Sequence, residues 1–104
     1  MYYIYMLRCE DNSIYTGITK DVAHRMQEHF SKINSAKYTY SHTAKKLEAV
    51  WETENRVLAS KLEYRIKKLT KAKKEELLMK NNLQELLAEK IECDLYKRLE
   101  SKSF

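Results

Sequence analysis

The chain has no proline, one glycine and two cysteines in 104 residues. Without proline, nothing sharply stops a helix after residue 55 except polar caps and asparagine pairs. Cys9 and Cys93 stand far apart, and neither has a second Cys or His at metal-binding spacing, which argues against a disulfide framework and against a zinc site. No apolar run approaches the ~20 residues that cross a bilayer. The apolar start, Met1–Leu7, is short for a signal peptide and has no basic lead-in. These absences predict a reduced, cytoplasmic protein that does not enter a membrane. Repeats and low-complexity linkers are also lacking, and the length suits one compact core.

What is present is charge and tyrosine. Twenty Lys and Arg against fifteen Asp and Glu give +5 and eight residues are tyrosine. A basic balance favours an anionic partner, nucleic acid first. Residues 2–8 (YYIYMLR) and 14–19 (IYTGIT) are rich in β-formers around a polar turn in which Asn12 can adopt the left-handed conformation. They read as an antiparallel hairpin. Gly17, the sole glycine, marks a bulge or a place where a ligand or backbone comes close. A helix over 21–32 follows, capped by Thr19 or Asp21, with Val22, Met26, Phe30 and Ile33 as its core stripe and Arg25 and His29 along one edge.

Residues 34–46 have no clean period and read as a basic, aromatic loop; residues 47–52 (LEAVWE) read as a third strand. A helix over 55–69 carries Leu58, Leu62, Ile66 and Leu69 inward, and Thr70 can cap a short helix over 71–80. Asn82 with Glu85 looks like a capping box for a last helix from 83 to about 100, striped by Leu83, Leu87, Ile91, Leu95 and Leu99. The expected architecture is therefore α+β: a small three-stranded antiparallel sheet flanked by helices over residues 1–80, with an amphipathic C-terminal helix over 81–104 packed back on it in a monomer.

Tyr3-Ile4-Tyr5, Tyr15-Thr16-Gly17, Arg25, His29 and Glu63 together resemble the GIY-YIG nuclease family, and the short single-domain bacterial members most closely. The spacing from Tyr15 to Arg25 to His29, followed by a helix-borne glutamate, is more specific than either tyrosine triplet. Tyr3 stands where the family usually has glycine and Thr16 where it usually has isoleucine. The resemblance implies metal-dependent hydrolysis of DNA phosphodiesters, structure-selective or weakly specific, in repair or recombination, alone or with a protein that supplies specificity. It also implies one ion, Mg²⁺ or Mn²⁺, on Glu63, which balances charge and assists the leaving group. Arg25 would hold the scissile phosphate with its planar fork. Tyr5 or Tyr15 would orient or deprotonate the water. A phenol of pKa ~10 is a weak base at neutral pH unless Lys20, Arg25, His29 or the metal lowers that value. His29 would relay a proton or touch phosphate.

Each residue also has a plain structural reading. The tyrosines can be half-buried strand aromatics, Arg25 and His29 a helix-surface pair, and Glu63 the partner of Lys67 four residues on. Lys20, Lys37, Lys45, Lys46, Arg65, Lys68 and Lys71 can meet phosphates, and Tyr38 and Tyr40 can stack on bases or pack on the sheet. Two other functions fit the same residues: a nucleic-acid-binding module with a weak or inactive site, and a protein-interaction adaptor that uses the last helix.

Overall fold

A computed structural model describes residues 1–32, 38 and 41–104. Strand β1 (Tyr2–Cys9) turns through Asn12, which takes the left-handed conformation at φ 71°, into β2 (Ile14–Thr19). Helix α1 (Val22–Ser31) begins at Asp21, whose side chain accepts from the His24 amide. Strand β3 spans Ala44–Thr53, three residues earlier than the alternation predicts, so Lys45 and Lys46 are strand residues. Helices α2 (Arg56–Lys68) and α3 (Lys71–Lys80) start at Asn55 and Thr70, each capping through its side chain. The sheet is antiparallel in the order β2-β1-β3-β4.

The fourth strand, β4 (Lys97–Leu99), corrects the three-stranded expectation, and the chain that forms it corrects the long final helix. Helix α4 covers only Leu83–Leu87, followed by a single 3₁₀ turn at Cys93–Leu95 and then β4. Asn82 makes no capping bond; its amide nitrogen donates to the Glu76 and Glu85 carboxylates. One continuous helix would hold all five stripe residues on one side. Instead Leu83 and Leu87 enter the core beneath α2, while Leu99 packs on the opposite face of the sheet. The Tyr96 hydroxyl donates to the Leu58 carbonyl, Thr53 Oγ1 donates to the Leu95 carbonyl, and Arg98 donates to the Leu77 and Leu78 carbonyls. These bonds tie the segment down, and β4 covers the β3 edge, which would otherwise present unpaired backbone. Tertiary pairing overrides the four-residue period.

Alternation along β1 divides the core into two layers. Ile4 and Met6 face α2–α4 and join Trp51, Leu62, Ile66 and Leu77. Tyr5 and Leu7 face α1 and join Val22, Met26 and Val50. Phe30, expected in the α1 stripe, is 47 % exposed, and His29 is buried in its stead; Ile33 lies outside the described residues. Both cysteines are free thiols. Among the described residues, no helix is long and apolar enough to cross a membrane.

Candidate active site

The β1–β2 register sets Tyr5 opposite Gly17 and Leu7 opposite Tyr15, all on the α1 side. The pairing runs without a register shift, so Gly17 is not a bulge. Its φ is not positive either. The reason for glycine is space. A Cβ at residue 17 would lie 2.5 Å from Tyr5 Oη, 2.7 Å from Tyr5 Cζ and 3.0 Å from Tyr15 Cε2. The Tyr5 ring therefore lies directly over the bare glycine backbone, beside Tyr15.

This placement carries the Tyr5 hydroxyl to His29, with Oη and Nε2 2.7 Å apart. Tyr5 is 1 % exposed and His29 0 % exposed. Burial drives the imidazole down to about pKa 4; the nearby Arg25 charge adds to this and Glu28 opposes it. Burial, with the neighbouring Tyr15, likewise pushes the Tyr5 phenol up, against a smaller downward pull from Arg25. Both groups are therefore neutral at pH 7, and the imidazole tautomer decides which of them donates in this bond. The Arg25 charge acts on the Tyr5 oxygen, and the guanidinium donates to Glu28 Oε1 at 2.9 Å. Guanidinium, phenol and imidazole thus form one electrostatically connected group.

Tyr15 forms the outer layer of this cluster. Its ring centroid lies 6.1 Å from that of Tyr5 and 5.4 Å from that of His29, and it is only half-buried. Tyr38 stacks on Tyr15 at 5.6 Å and His42 stacks on Tyr38 at 4.2 Å. His42 is itself held by Asp11, with Nδ1 and Oδ2 2.6 Å apart.

Tyr5, Tyr15, Arg25, His29 and Tyr38 thus lie together. Glu63 reaches the group through Lys67, whose Nζ is 3.4 Å from Glu63 Oε2 and 6.0 Å from the Tyr15 ring centroid. The remaining predicted contacts sit apart. Lys20 lies over the Tyr2 ring and Lys68 over the Tyr64 ring. Lys46 pairs with Glu48 and lines a hollow with Phe30 and Phe104, and Lys45 is exposed on β3. Lys37 and Tyr40 lie outside the described residues.

Three participants were missing from the sequence reading. Glu28 was legible as an acid three residues after Arg25. Asp11 and His42, separated by 31 positions, have no local signature. Among the described residues, no three His, Cys, Asp or Glu side chains gather as a metal cage. A lone, part-exposed carboxylate such as Glu63 suits a hard ion that keeps most of its waters, as Mg²⁺ and Mn²⁺ do.

Residues 1–76 match the GIY-YIG catalytic domain family. The chain is 52 % identical over 79 residues to UPF0213 protein FN1575 of Fusobacterium nucleatum subsp. nucleatum, a match that covers 76 % of this chain and 78 % of that protein. It is 36 % identical over 96 residues to UPF0213 protein YhbQ of Salmonella typhimurium, covering 92 % and 95 %. The solution NMR structure of the UPF0213 protein BH0048 from Bacillus halodurans is similar at a TM-score of 0.50 and 39 % identity, over 79 % of this chain and 88 % of that one.

Proposed function

The chain belongs to the GIY-YIG catalytic domain family, and from that premise we propose that it is a divalent-metal-dependent endonuclease that hydrolyses DNA phosphodiester bonds. The setting would be DNA repair or recombination. The observation that carries this reading is the buried Tyr5–His29 bond over Gly17, with the Arg25 charge beside it and Tyr15 as its outer layer. Core packing alone does not call for a phenol, an imidazole and a guanidinium in one group.

The two tyrosines take different roles. Tyr5 is sealed from solvent, and its phenol is held in the neutral form. It cannot meet a water molecule, and it serves to fix His29 and Arg25. Tyr15 faces outward and orients the attacking water. Arg25, whose side chain is 21 % exposed, meets the phosphate and offsets charge that builds on the phosphorane. Glu63 would hold the ion, which when bound neutralises charge and assists the leaving oxygen. Lys67 releases Glu63 at little cost, because a part-exposed pair at 3.4 Å is weak.

The test incubates purified protein with labelled single-stranded, duplex and branched DNA, with and without Mg²⁺ or Mn²⁺. Glu63→Ala abolishes cleavage and spares DNA binding; Arg25→Ala harms both. Tyr15→Phe loses cleavage with the fold intact, whereas Tyr5→Phe costs stability as well. Cleavage by Glu63→Ala would remove the metal assignment. Salt-sensitive binding without cleavage by the wild type would leave a nucleic-acid-binding module.

A further inference from the structure

The outward side of α2 carries a feature that the catalytic reading leaves unused. Opposite its buried stripe of Ala59, Leu62 and Ile66, the helix borders a groove of about 580 Å³. Arg56, Lys61, Arg65 and Lys90 line it, and no carboxylate does. None of these four cations enters an ion pair among the described residues. Four unpaired cations around one groove repel one another until an anion enters. The next hollow along, past Lys61 and Lys90, holds Glu89 and Glu92, so the positive stretch has a definite end.

The groove is not simply a charged surface. Val57 is 65 % exposed and Tyr64 54 % exposed, and Ile91 adds a half-buried apolar wall. Two cations accompany the Tyr64 ring: the Arg65 guanidinium and Lys68 Nζ are each 5.3 Å from its centroid. A duplex presents only sugar and phosphate to such a surface and leaves the apolar groups idle. An unpaired strand offers phosphates to the cations and a base face to the ring. Tyr64 directly follows Glu63 in α2, so the groove lies on the helix face that adjoins the one carrying the carboxylate.

We propose that this groove binds a single-stranded nucleic-acid segment leading away from the scissile phosphate, with Lys61 and Arg65 on its phosphates and Tyr64 stacked on a base. The proposal rests on the nuclease reading and narrows its substrate to DNA with an unpaired tail beside the cleaved bond.

Fluorescence anisotropy of the full chain tests it, in EDTA to prevent cleavage and across a NaCl series. The probes are a labelled single-stranded oligonucleotide, a blunt duplex and the same duplex with a single-stranded tail. Thermal melts check that each variant is folded. Tyr64→Ala should weaken binding to the tailed probe about tenfold, in keeping with the loss of one stacked base, and leave the salt slope unchanged. The Lys61→Gln/Arg65→Gln double variant should lower that slope by about 1.4, at ~0.7 per lost single-strand phosphate contact. Neither variant should alter binding to the blunt duplex. Tail binding unchanged in both variants would overturn the groove, and the nuclease reading would stand on wild-type cleavage. Equal losses on tailed and blunt probes would overturn the single-strand assignment. A wild type that binds none of the probes in EDTA and cuts none of them once Mg²⁺ is supplied would overturn the nuclease reading and the groove together.

Discussion

On the α2 side of the sheet, Ile4, Met6, Trp51, Leu62, Ile66 and Leu77 bury carbon almost to the exclusion of polar atoms. On the α1 side the same strand buries Tyr5, which binds His29, with Arg25 behind it. Both faces are dry, and each uses dryness differently. Facing α2, removal of water is the stabilising force itself. Facing α1, it holds a phenol and an imidazole neutral and strengthens the bonds between them. A single strand, by alternating its side chains, serves stability on one face and chemistry on the other.

If that division is real, damage to one face should leave the other working. Leu62 is 0 % exposed in the aliphatic layer. Leu62→Ala should cost about 3 kcal/mol of stability, as large-to-small core substitutions do. Urea unfolding measures this, and cleavage per folded molecule should stay near wild type. A tenfold fall in that specific activity would show that the two faces are coupled.

Gly17→Ala attacks the other face. The added methyl must displace Tyr5 and with it the bond to His29. Overpacking of this kind costs ~1–3 kcal/mol, and a shift of about 1 Å at the reacting groups can cost ~100-fold in rate. The expected pattern is the reverse of Leu62→Ala, with cleavage lost far beyond the loss of stability. Wild-type cleavage by Gly17→Ala would mean that the position of Tyr5 does not matter.

The sequence made the aliphatic face more legible than the chemical one. Leu62 and Ile66 announce themselves by helical period, and the α1, α2 and α3 boundaries follow side-chain caps at Asp21, Asn55 and Thr70. His29 was placed on an edge because imidazole is polar. In the structure it takes the inward position and Phe30 turns out, since a hydrogen bond with Tyr5, 24 residues away, offsets the cost of its burial. That bond is a tertiary fact without a local pattern. The final helix failed for a similar reason. Leu83 to Leu99 keep a helical period, but the unpaired edge of β3 and the carbonyls of Leu58, Leu77 and Leu78 recruit Tyr96 and Arg98. Gly17 reads in the sequence as a bulge or as a place for a ligand or backbone; what comes close is instead a side chain, the Tyr5 ring, and that emerges only from the strand register.

A smaller effect separates the faces by pH. His29 titrates at about 4 in the folded protein against an ordinary 6.5. Between those values the unfolded chain binds the proton and the folded chain does not, so stability rises with pH across this window and is lost as pH falls from about 6.5 towards 4. The full separation corresponds to about 3 kcal/mol at most, and we expect on the order of 2. Thermal melts of wild type and His29→Gln from pH 7 to 4.5 isolate it, because the variant should lack that slope. Glu75, held down to about 2 by Arg8 and Lys71, loses its contribution as pH falls below its ordinary 4.5, equally in both proteins, so the difference between their melts still isolates His29. Parallel melting curves for the two proteins would show that His29 is not held neutral by the fold.

The smallest effect should carry the opposite sign. Thr16 pairs with Met6 in the β1–β2 register and so faces the aliphatic layer, 3 % exposed, with its Oγ1 unpartnered among the described residues. A hydroxyl buried without a bond opposes folding, and valine has nearly the same shape. Thr16→Val should therefore stabilise the protein by about 1 kcal/mol, read as a higher urea midpoint at unchanged m-value. Thr16 stands between Tyr15 and Gly17, so cleavage assays of this variant set a sharp limit on the division of the sheet. Gained stability with unchanged cleavage would make the hydroxyl a flaw in the aliphatic face. Gained stability with lost cleavage would show that this face, too, gives up stability for the site at one position, and that the boundary between the two layers runs through β2 rather than along β1.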